Sequence, residues 1–192
     1  MADDLLGQAR RLAELLTSRR ITHAFIGGLA LNAWSIPVPT YDIDLCAELT
    51  PEAVPDLIAQ LDRAGFVPPA TAWIEAIGSA RFREFTVHWP FQDGLRAADI
   101  FLATDPFQKS ALSRRRRVEL DEGFLTDVIS PEDLLLYKLV AYRNKDRAAI
   151  ERLLTIQSAL EWSYVRAWAL RLGVTPRLEE ALRDAGLHPP AD

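Results

Sequence analysis

The sequence predicts an α/β (α+β) fold, in which a mixed β-sheet flanked by helices is followed by a C-terminal helical bundle. Short apolar runs bounded by glycine and proline alternate with amphipathic stretches through residues 1–130. After Ser130 the apolar residues recur at helical spacing. The chain has 192 residues, of which 49% are hydrophobic and 26% are charged, as is usual for one globular domain with a sizeable core.

The first part of the chain alternates helices and strands. Pro37 ends a short helix, and Thr50 followed by Pro51 marks the start of a longer one. The predicted elements are a helix over 3–19, a strand over 21–28, a helix over 29–35, a strand over 40–49 and a helix over 51–63.

The middle of the chain is rich in strands and its last third is helical. Alternating apolar residues predict strands over 71–78, 81–89, 97–103, 116–120 and 124–130. The first two form a pair around Gly78, and the last two form a hairpin around Gly123. Ser130 and Pro131 form a helix start. Apolar periodicity then predicts four helices, over 131–143, 145–157, 161–172 and 175–185.

Composition favours a cytoplasmic protein and argues against a membrane protein. No apolar run approaches the ~20 residues of a membrane-spanning helix, and no signal-peptide pattern begins the chain. Cys46 is the single cysteine, so no internal disulfide can form. The net charge of −5 argues against a surface coated in basic residues for nucleic acid, although a local basic patch remains open.

Two aspartates one residue apart raise the question of function. Asp42 and Asp44 lie in the strand predicted over 40–49, and side chains two apart on a strand point the same way. Two adjacent like charges repel unless a cation lies beside them, and carboxylate oxygens suit Mg²⁺ or Mn²⁺. The alternative is an edge strand with one solvated face.

A glycine pair and a third aspartate strengthen the first interpretation. Gly27 and Gly28 stand between a strand and a helix, where a phosphate can approach the backbone, although a plain tight turn also needs glycine. Asp99 lies on an apolar predicted strand, where an unpaired acid is costly, although it can also end that strand facing water. Three convergent carboxylates would hold the metal ions of a phosphoryl-transfer site.

These motifs resemble a known family. GGLALNAW followed by TYDIDL resembles the first motif of DNA polymerase β-type nucleotidyltransferases, and is most similar to the AbiEii/MNT-like branch of bacterial toxin–antitoxin and abortive-infection systems. DIFLATDPFQ and ISPEDLLLYKLVAYRNKDRAAIERLL resemble its later motifs, so the likeness covers most of residues 21–157. It implies a minimal nucleotidyltransferase core over 1–130 and a helical region over 131–192 that closes the cleft.

The resemblance also implies roles for individual residues. Gly27 and Gly28 would cradle the triphosphate of an NTP. A set of three carboxylates would hold Mg²⁺ or Mn²⁺, and its members are Asp42, Asp44 and Asp99. Lys138 and Asp146 match family positions directed at the nucleotide, and Arg143 and Lys145 are candidate phosphate contacts.

Departures from the family pattern leave an alternative function open. Val38 stands where family members commonly have arginine, and Ala149 stands where a second acid often follows Asp146. These changes motivate a non-catalytic nucleotide-binding or interaction protein on the same fold. The arginine run 114–117 is either a contact for nucleotide or RNA backbone or a solvated strand start, with room for one of its arginines in the site.

The resemblance leaves the acceptor open. It implies tRNA or another RNA, a protein hydroxyl or a small molecule such as an aminoglycoside as the acceptor of the nucleotide. It also implies a cognate toxin or antitoxin partner.

Overall fold

A mixed sheet of seven strands forms the centre of the described structure. The computed structural model describes residues 5–68, 75–77, 82–92, 94–157 and 159–188. The strands are β1 His23–Phe25, β2 Ile43–Ala47, β3 Glu75–Ile77, β4 Phe82–Phe91, β5 Gly94–Leu102, β6 Arg116–Asp121 and β7 Phe124–Val128. Their order across the sheet is β3-β4-β5-β2-β1-β7-β6. The pairs β2/β5 and β1/β7 are parallel and the others are antiparallel.

Helices cover this sheet and continue to the end of the described chain. They are α1 Leu5–Ser18, α2 Gly27–Ala33, α3 Val54–Arg63, α4 Pro106–Ser113, α5 Pro131–Ala141, α6 Asn144–Ile156, α7 Trp162–Leu172 and α8 Thr175–Asp184. The predicted mixed α/β fold with a helical tail is therefore confirmed. The turn predicted around Gly78 lies outside the described residues, although β3 and β4 do pair antiparallel. No helix among the described residues has both the length and the apolarity needed to cross a bilayer.

Helix α4 was not predicted from the sequence, although its start carries a recognisable signal. Asp105 caps it by accepting a hydrogen bond from the Phe107 N–H at 2.8 Å, and Gln108 completes the capping box from the third helical position. Pro106 occupies the first turn, where its missing N–H costs nothing. The Asp-Pro-x-Gln spacing was the available clue, but the helix is too short for apolar periodicity to stand out.

The strand that carries the aspartates is shorter than predicted. It begins at Ile43, so the exposed Asp42 lies in a bend before β2 and not within it. The preceding segment is held away from the sheet, because the Val38 N–H donates to Asn32 Oδ1 at 2.8 Å and Arg152 donates to the Pro37 carbonyl at 3.1 Å. The glycine pair also differs from the prediction, because Gly27 and Gly28 begin α2 and do not end β1.

Helix α5 joins the sheet to the helical tail. Leucines point from it in several directions and all are buried, because α5 packs against α2, α6 and α7. A helix that is apolar on every side must be covered on every side. These leucines are Leu134, Leu135, Leu136 and Leu139. One apolar core therefore runs across residue 130, and the division into regions 1–130 and 131–192 stays a prediction.

The arginine run has structural contacts at three of its four positions. Arg114 ends α4, lies 3.9 Å over the Tyr164 ring and pairs with Glu161 at 2.9 Å. Tyr164 donates to Asp133 Oδ1 at 2.6 Å, which ties this arginine to the start of α5. Arg115 and Arg117 both pair with Asp127 on β7. The run therefore links α4, α5, α7 and the β6–β7 hairpin, which favours the structural interpretation.

Candidate active site

Two carboxylates lie side by side at the centre of the sheet. Asp44 on β2 and Asp99 on β5 are register partners on adjacent parallel strands, so their side chains lie on the same face. Thr86 on β4 is the register partner of Asp99 on its other side, and its hydroxyl donates to Asp99 Oδ1 at 2.6 Å. The sheet thus brings together two acids that are 55 residues apart in sequence.

Burial and mutual repulsion both disfavour the ionised form of these acids. The pKa of Asp44 is raised to about 6, first by burial and then by the neighbouring charges of Asp99 and Asp42. Burial also raises the pKa of Asp99, while the hydrogen bond from Thr86 opposes the rise. The positive charges of Lys138 and Lys145 lower the pKa of Asp44 and so oppose part of this rise. A cation bound beside these oxygens would further favour the ionised form of both carboxylates.

Asp42, the third acid, borders the same space as Asp44 and Asp99 but does not complete a ready-made metal site with them. Asp42, Asp44 and Asp99 line one cavity together, so the sequence-predicted acids do face a common space. Across the described residues, no three His, Cys, Asp or Glu side chains are already arranged as a metal-binding cluster. A divalent ion held here would therefore take several ligands from water and from substrate phosphates, as Mg²⁺ commonly does.

The glycine pair makes room for two side chains of the site. Gly27 has φ +61°, and a Cβ built there would lie 2.7 Å from Asp44 Cγ. A Cβ on Gly28 would lie 2.6 Å from Thr40 Cβ. Real Cβ atoms essentially never show contacts this short. The two glycines therefore let Asp44 and Thr40 pack directly on the start of α2, and their contact with a triphosphate stays a prediction.

An ion triad lines the same cavity as the carboxylate pair. Lys138 Nζ donates to Asp146 Oδ1 at 2.8 Å, and Arg143 Nε donates to Asp146 Oδ2 at 2.7 Å. Asp146 is 0% exposed, and the Arg143 backbone N–H also donates to Oδ2, at 3.1 Å. Both oxygens of Asp146 are thus occupied from within the chain. Asp146 thereby holds Lys138 and Arg143 at the cavity, which it also lines, and its contact with a nucleotide stays a prediction.

Asp146 is expected to make stability depend on acid pH. Burial alone disfavours its charged form, but hydrogen bonds from Arg143 and Lys138 outweigh burial and lower the pKa of Asp146. A carboxylate with a depressed folded pKa adds stability above its unfolded pKa, near about 4, and loses it as pH falls through the folded pKa. We expect the free energy of unfolding, measured by urea titration, to fall more steeply below about pH 4 in the wild type than in Asp146→Asn. Parallel profiles would contradict a stabilising role for this charge.

Two adjoining cavities share Asp44, Asp99, Lys138 and Arg143. The first, called here the apolar cavity, lies under α5 and is also lined by Phe82, Glu84, Phe101, Leu134, Tyr137 and Val140. The second, called here the polar cavity, is also lined by Gly28, Thr40, Asp42, Lys145 and Arg152. The carboxylate pair therefore stands between an apolar space and a charged one.

Sequence reasoning missed Glu84 and Arg152, which line these cavities, and Thr86, which donates to Asp99. Glu84 and Thr86 alternate with apolar residues on β4, so a polar face of that strand was the available signal. Arg152 gave no signal, because a lone arginine on a helix is usually solvated. The two family departures, Val38 and Ala149, line the polar cavity together with Arg152. A cation from α6 thus reaches the space beside Val38, where the family pattern has an arginine.

Comparison with known proteins supports the fold. No family model matches the sequence, and curated proteins give no significant match. The structure is similar to that of TM1012 from Thermotoga maritima, a protein assigned as a nucleotidyltransferase, with a TM-score of 0.52, 15% identity and coverage of 78% of this chain and 92% of that one. It is also similar to the antibiotic-resistance factor ANT(2″)-Ia, with a TM-score of 0.57, 15% identity and coverage of 94% and 99%.

These likenesses extend over most of both chains. The predicted fold is confirmed, and the AbiEii/MNT branch stays a prediction. The chain has the mixed α/β fold of nucleotidyltransferases.

Proposed function

We propose that this protein is a nucleotidyltransferase that moves a nucleoside monophosphate from an NTP to an acceptor hydroxyl and releases pyrophosphate. The observation that carries the proposal is the register pairing of Asp44 and Asp99 at the junction of the two cavities. Two acids that are buried and held this close are unfavourable on their own, as the pKa of Asp44 reflects, which is raised first by burial and then by the charge of Asp99. They become favourable in a site built for a cation and a phosphate chain.

The carboxylates fit a magnesium or manganese site. Asp42, Asp44 and Asp99 supply hard oxygen donors to one space. The bound ion would neutralise charge on the transferring phosphate and favour the attacking oxygen. Within the chain, Thr86 holds one oxygen of Asp99 and so fixes the orientation of that carboxylate.

Positive side chains that line the two cavities fit a triphosphate. Lys138 and Arg143 are held by Asp146, and Lys145 and Arg152 line the polar cavity beside them. Four positive side chains facing three carboxylates can hold a phosphate chain across the site. Gly27 and Gly28 let Asp44 and Thr40 pack on the start of α2, and we propose that the triphosphate approaches the backbone beside these two side chains.

The reaction step follows from this placement. The acceptor hydroxyl oxygen forms a bond to the α-phosphorus, and the bond to the bridging oxygen of pyrophosphate breaks. The hydroxyl proton passes to the carboxylate of Asp99, which lies beside Asp44 and is oriented by the hydrogen bond from Thr86 to one of its oxygens. Lys138 and Arg143 stabilise charge on the departing pyrophosphate.

The biological setting is inferred from the motif resemblance. We place the protein in a toxin–antitoxin or abortive-infection system in the cytoplasm, with a cognate toxin or antitoxin as its partner. RNA such as tRNA, a protein hydroxyl and a small molecule are the candidate acceptors. A non-catalytic nucleotide-binding role is the second candidate function, favoured by the exposed Asp42 and the lack of a ready-made metal cluster among the described residues.

Asp44→Asn tests the proposal. We expect it to lower nucleotidyl transfer on the order of 10³-fold, because one preorganised charge is lost at the reacting phosphate. The measurement is label transfer from each α-³²P-NTP, with Mg²⁺, to total RNA, protein and small molecules of a cell lysate. Asp62→Asn is the control, because Asp62 is exposed on α3. Nucleotide binding without transfer would favour the non-catalytic role, and full activity of Asp44→Asn would contradict the site.

A further inference from the structure

The turn from α5 to α6 over residues 138–146, called here the corner, carries most of the positive charge of the proposed triphosphate site. Lys138 lies in the last turn of α5, and Arg143 and Lys145 lie at the start of α6. All three line the polar cavity. Asp146 binds Lys138 Nζ at 2.8 Å and Arg143 Nε at 2.7 Å across this turn. The direction in which the chain turns therefore decides where the cations lie.

The corner depends on one residue in an unfavourable backbone conformation. Tyr142 ends α5 in the left-handed region, with φ 49° and ψ 33°. Its N–H donates to the Lys138 carbonyl at 2.8 Å. Glycine is the usual residue in this conformation at a helix end, because a side chain there crowds the backbone. An aromatic residue stays in it only where surrounding contacts hold it.

Arg177 of α8 supplies such contacts. Its Nη1 donates to the carbonyls of Leu139 and Val140 at 2.8 Å and 2.9 Å. The last carbonyls of a helix have no partner within the helix, so Arg177 caps the C-terminus of α5. Its guanidinium also lies over the Tyr142 ring, 5.1 Å from the centroid, and that of Arg147 lies 5.3 Å from it.

Helix α8 reaches the corner from outside the two cavities. Its residues 175–184 line neither the apolar nor the polar cavity. The helix packs against α6 and α7, and Arg177 is half-buried there. Val140, whose carbonyl Arg177 caps, does line the apolar cavity. Arg177 thus contacts the backbone that carries the cations and not the space that would hold a nucleotide.

We infer that Arg177 is a positioning residue for the triphosphate of the NTP. This inference rests on the proposed function. By capping α5 and holding Tyr142 in the left-handed region, Arg177 fixes the direction of the corner. That direction places the three cations of the corner on the β- and γ-phosphates. Loss of the cap displaces these cations together, and a displacement of about 1 Å at a reacting site can cost about 10²-fold in rate.

A comparison of NTP binding with NMP binding tests the inference. Calorimetry on the full chain with Mg²⁺ measures the affinity for each of the four α,β-methylene NTPs and for the matching NMPs, which lack the β- and γ-phosphates. We expect Arg177→Met to weaken binding of the preferred NTP about tenfold or more and to change NMP binding less than about threefold. The loss is confined to the NTP because the cations of the corner meet only the outer phosphates. A general loss of packing would weaken both ligands alike.

Matched variants control for charge and for folding. Arg177→Lys is expected to keep most of the NTP affinity, because an ammonium group can also donate to both carbonyls. Arg171→Met removes the same charge from α7, where the exposed Arg171 lies 5.0 Å from the Trp168 ring centroid, and is expected to bind like the wild type. Thermal unfolding shows whether each variant is folded. Arg177→Gln replaces Arg177→Met if the latter does not fold, with the same expected result.

The outcomes separate the inference from the proposed function. Equal weakening of NTP and NMP binding, unchanged NTP binding, or the same loss in Arg171→Met overturns the inference. The proposed function then stands as long as the wild type transfers label from an NTP. A wild type that neither binds nor transfers any NTP overturns the proposed function, and the inference falls with it.

Discussion

Replacing Gly27 with alanine is expected to lower nucleotidyl transfer on the order of 10²-fold or more. The new Cβ would lie 2.7 Å from Asp44 Cγ, so the carboxylate must move away from the start of α2. Displacing a reacting group by about 1 Å can cost about 10²-fold in rate. The backbone at φ +61° adds strain of roughly 1–2 kcal/mol for a residue with a side chain. Label transfer and the free energy of unfolding are measured together.

Gly173→Ala separates the effect of backbone strain from the effect of displacing Asp44. Gly173 ends α7 with φ +71°, and a Cβ there would meet nothing within 4 Å. This variant is expected to lose roughly 1–2 kcal/mol of stability and to keep its transfer activity. Equal activity losses in the two variants would mean that backbone strain, and not the displacement of Asp44, explains the effect.

Replacing Asp146 with asparagine is expected to lower the free energy of unfolding by about 3 kcal/mol, because it leaves Lys138, whose side chain is only 14% exposed, without its partner. The magnitude lies at the low end for a broken buried pair, since Arg143 is exposed and regains water. For a chain of this length the loss corresponds to a fall in Tm of roughly 6–12 °C. We also expect weaker NTP binding, because Asp146 positions both cations. Differential scanning calorimetry and NTP titration measure the two effects.

An exposed ion pair and a double variant control this experiment. Glu180 pairs with Arg147 at 2.7 Å with both side chains in solvent, so Glu180→Ala is expected to cost less than about 1 kcal/mol. Adding Lys138→Met to Asp146→Asn removes the uncompensated cation and is expected to recover part of the lost stability. A further loss in the double variant would mean that Lys138 stabilises the fold through other contacts.

Much of the fold and part of the site are visible in the sequence. Periodicity identified the longer helices and the central strands, because one face of each is buried against the sheet core. Asp44 and Asp99 stood out because burying an acid within an apolar strand is costly unless a partner or a ligand stabilises it. Such local patterns can be read from the sequence because the alternation of apolar and polar residues reflects which side chains are buried.

The sequence could not place the residues whose position depends on distant contacts. Asp42 was expected within a strand, but ties from Asn32 and Arg152 hold the preceding segment off the sheet. Helix α4 was missed because eight residues are too few for a periodic signal. The pairing of Lys138 with Asp146 could not be predicted either, because it depends on how α5 packs against α6.

The sequence by itself thus determined the element order apart from α4, the helical tail and the identity of the central carboxylates. The tertiary structure alone decided that Asp44 and Asp99 are register partners and that Glu84 lies on the same face of the sheet. The physical reason is that strand pairing is non-local. Which side chains meet across a sheet depends on the register of strands far apart in the chain, and no local pattern encodes that register.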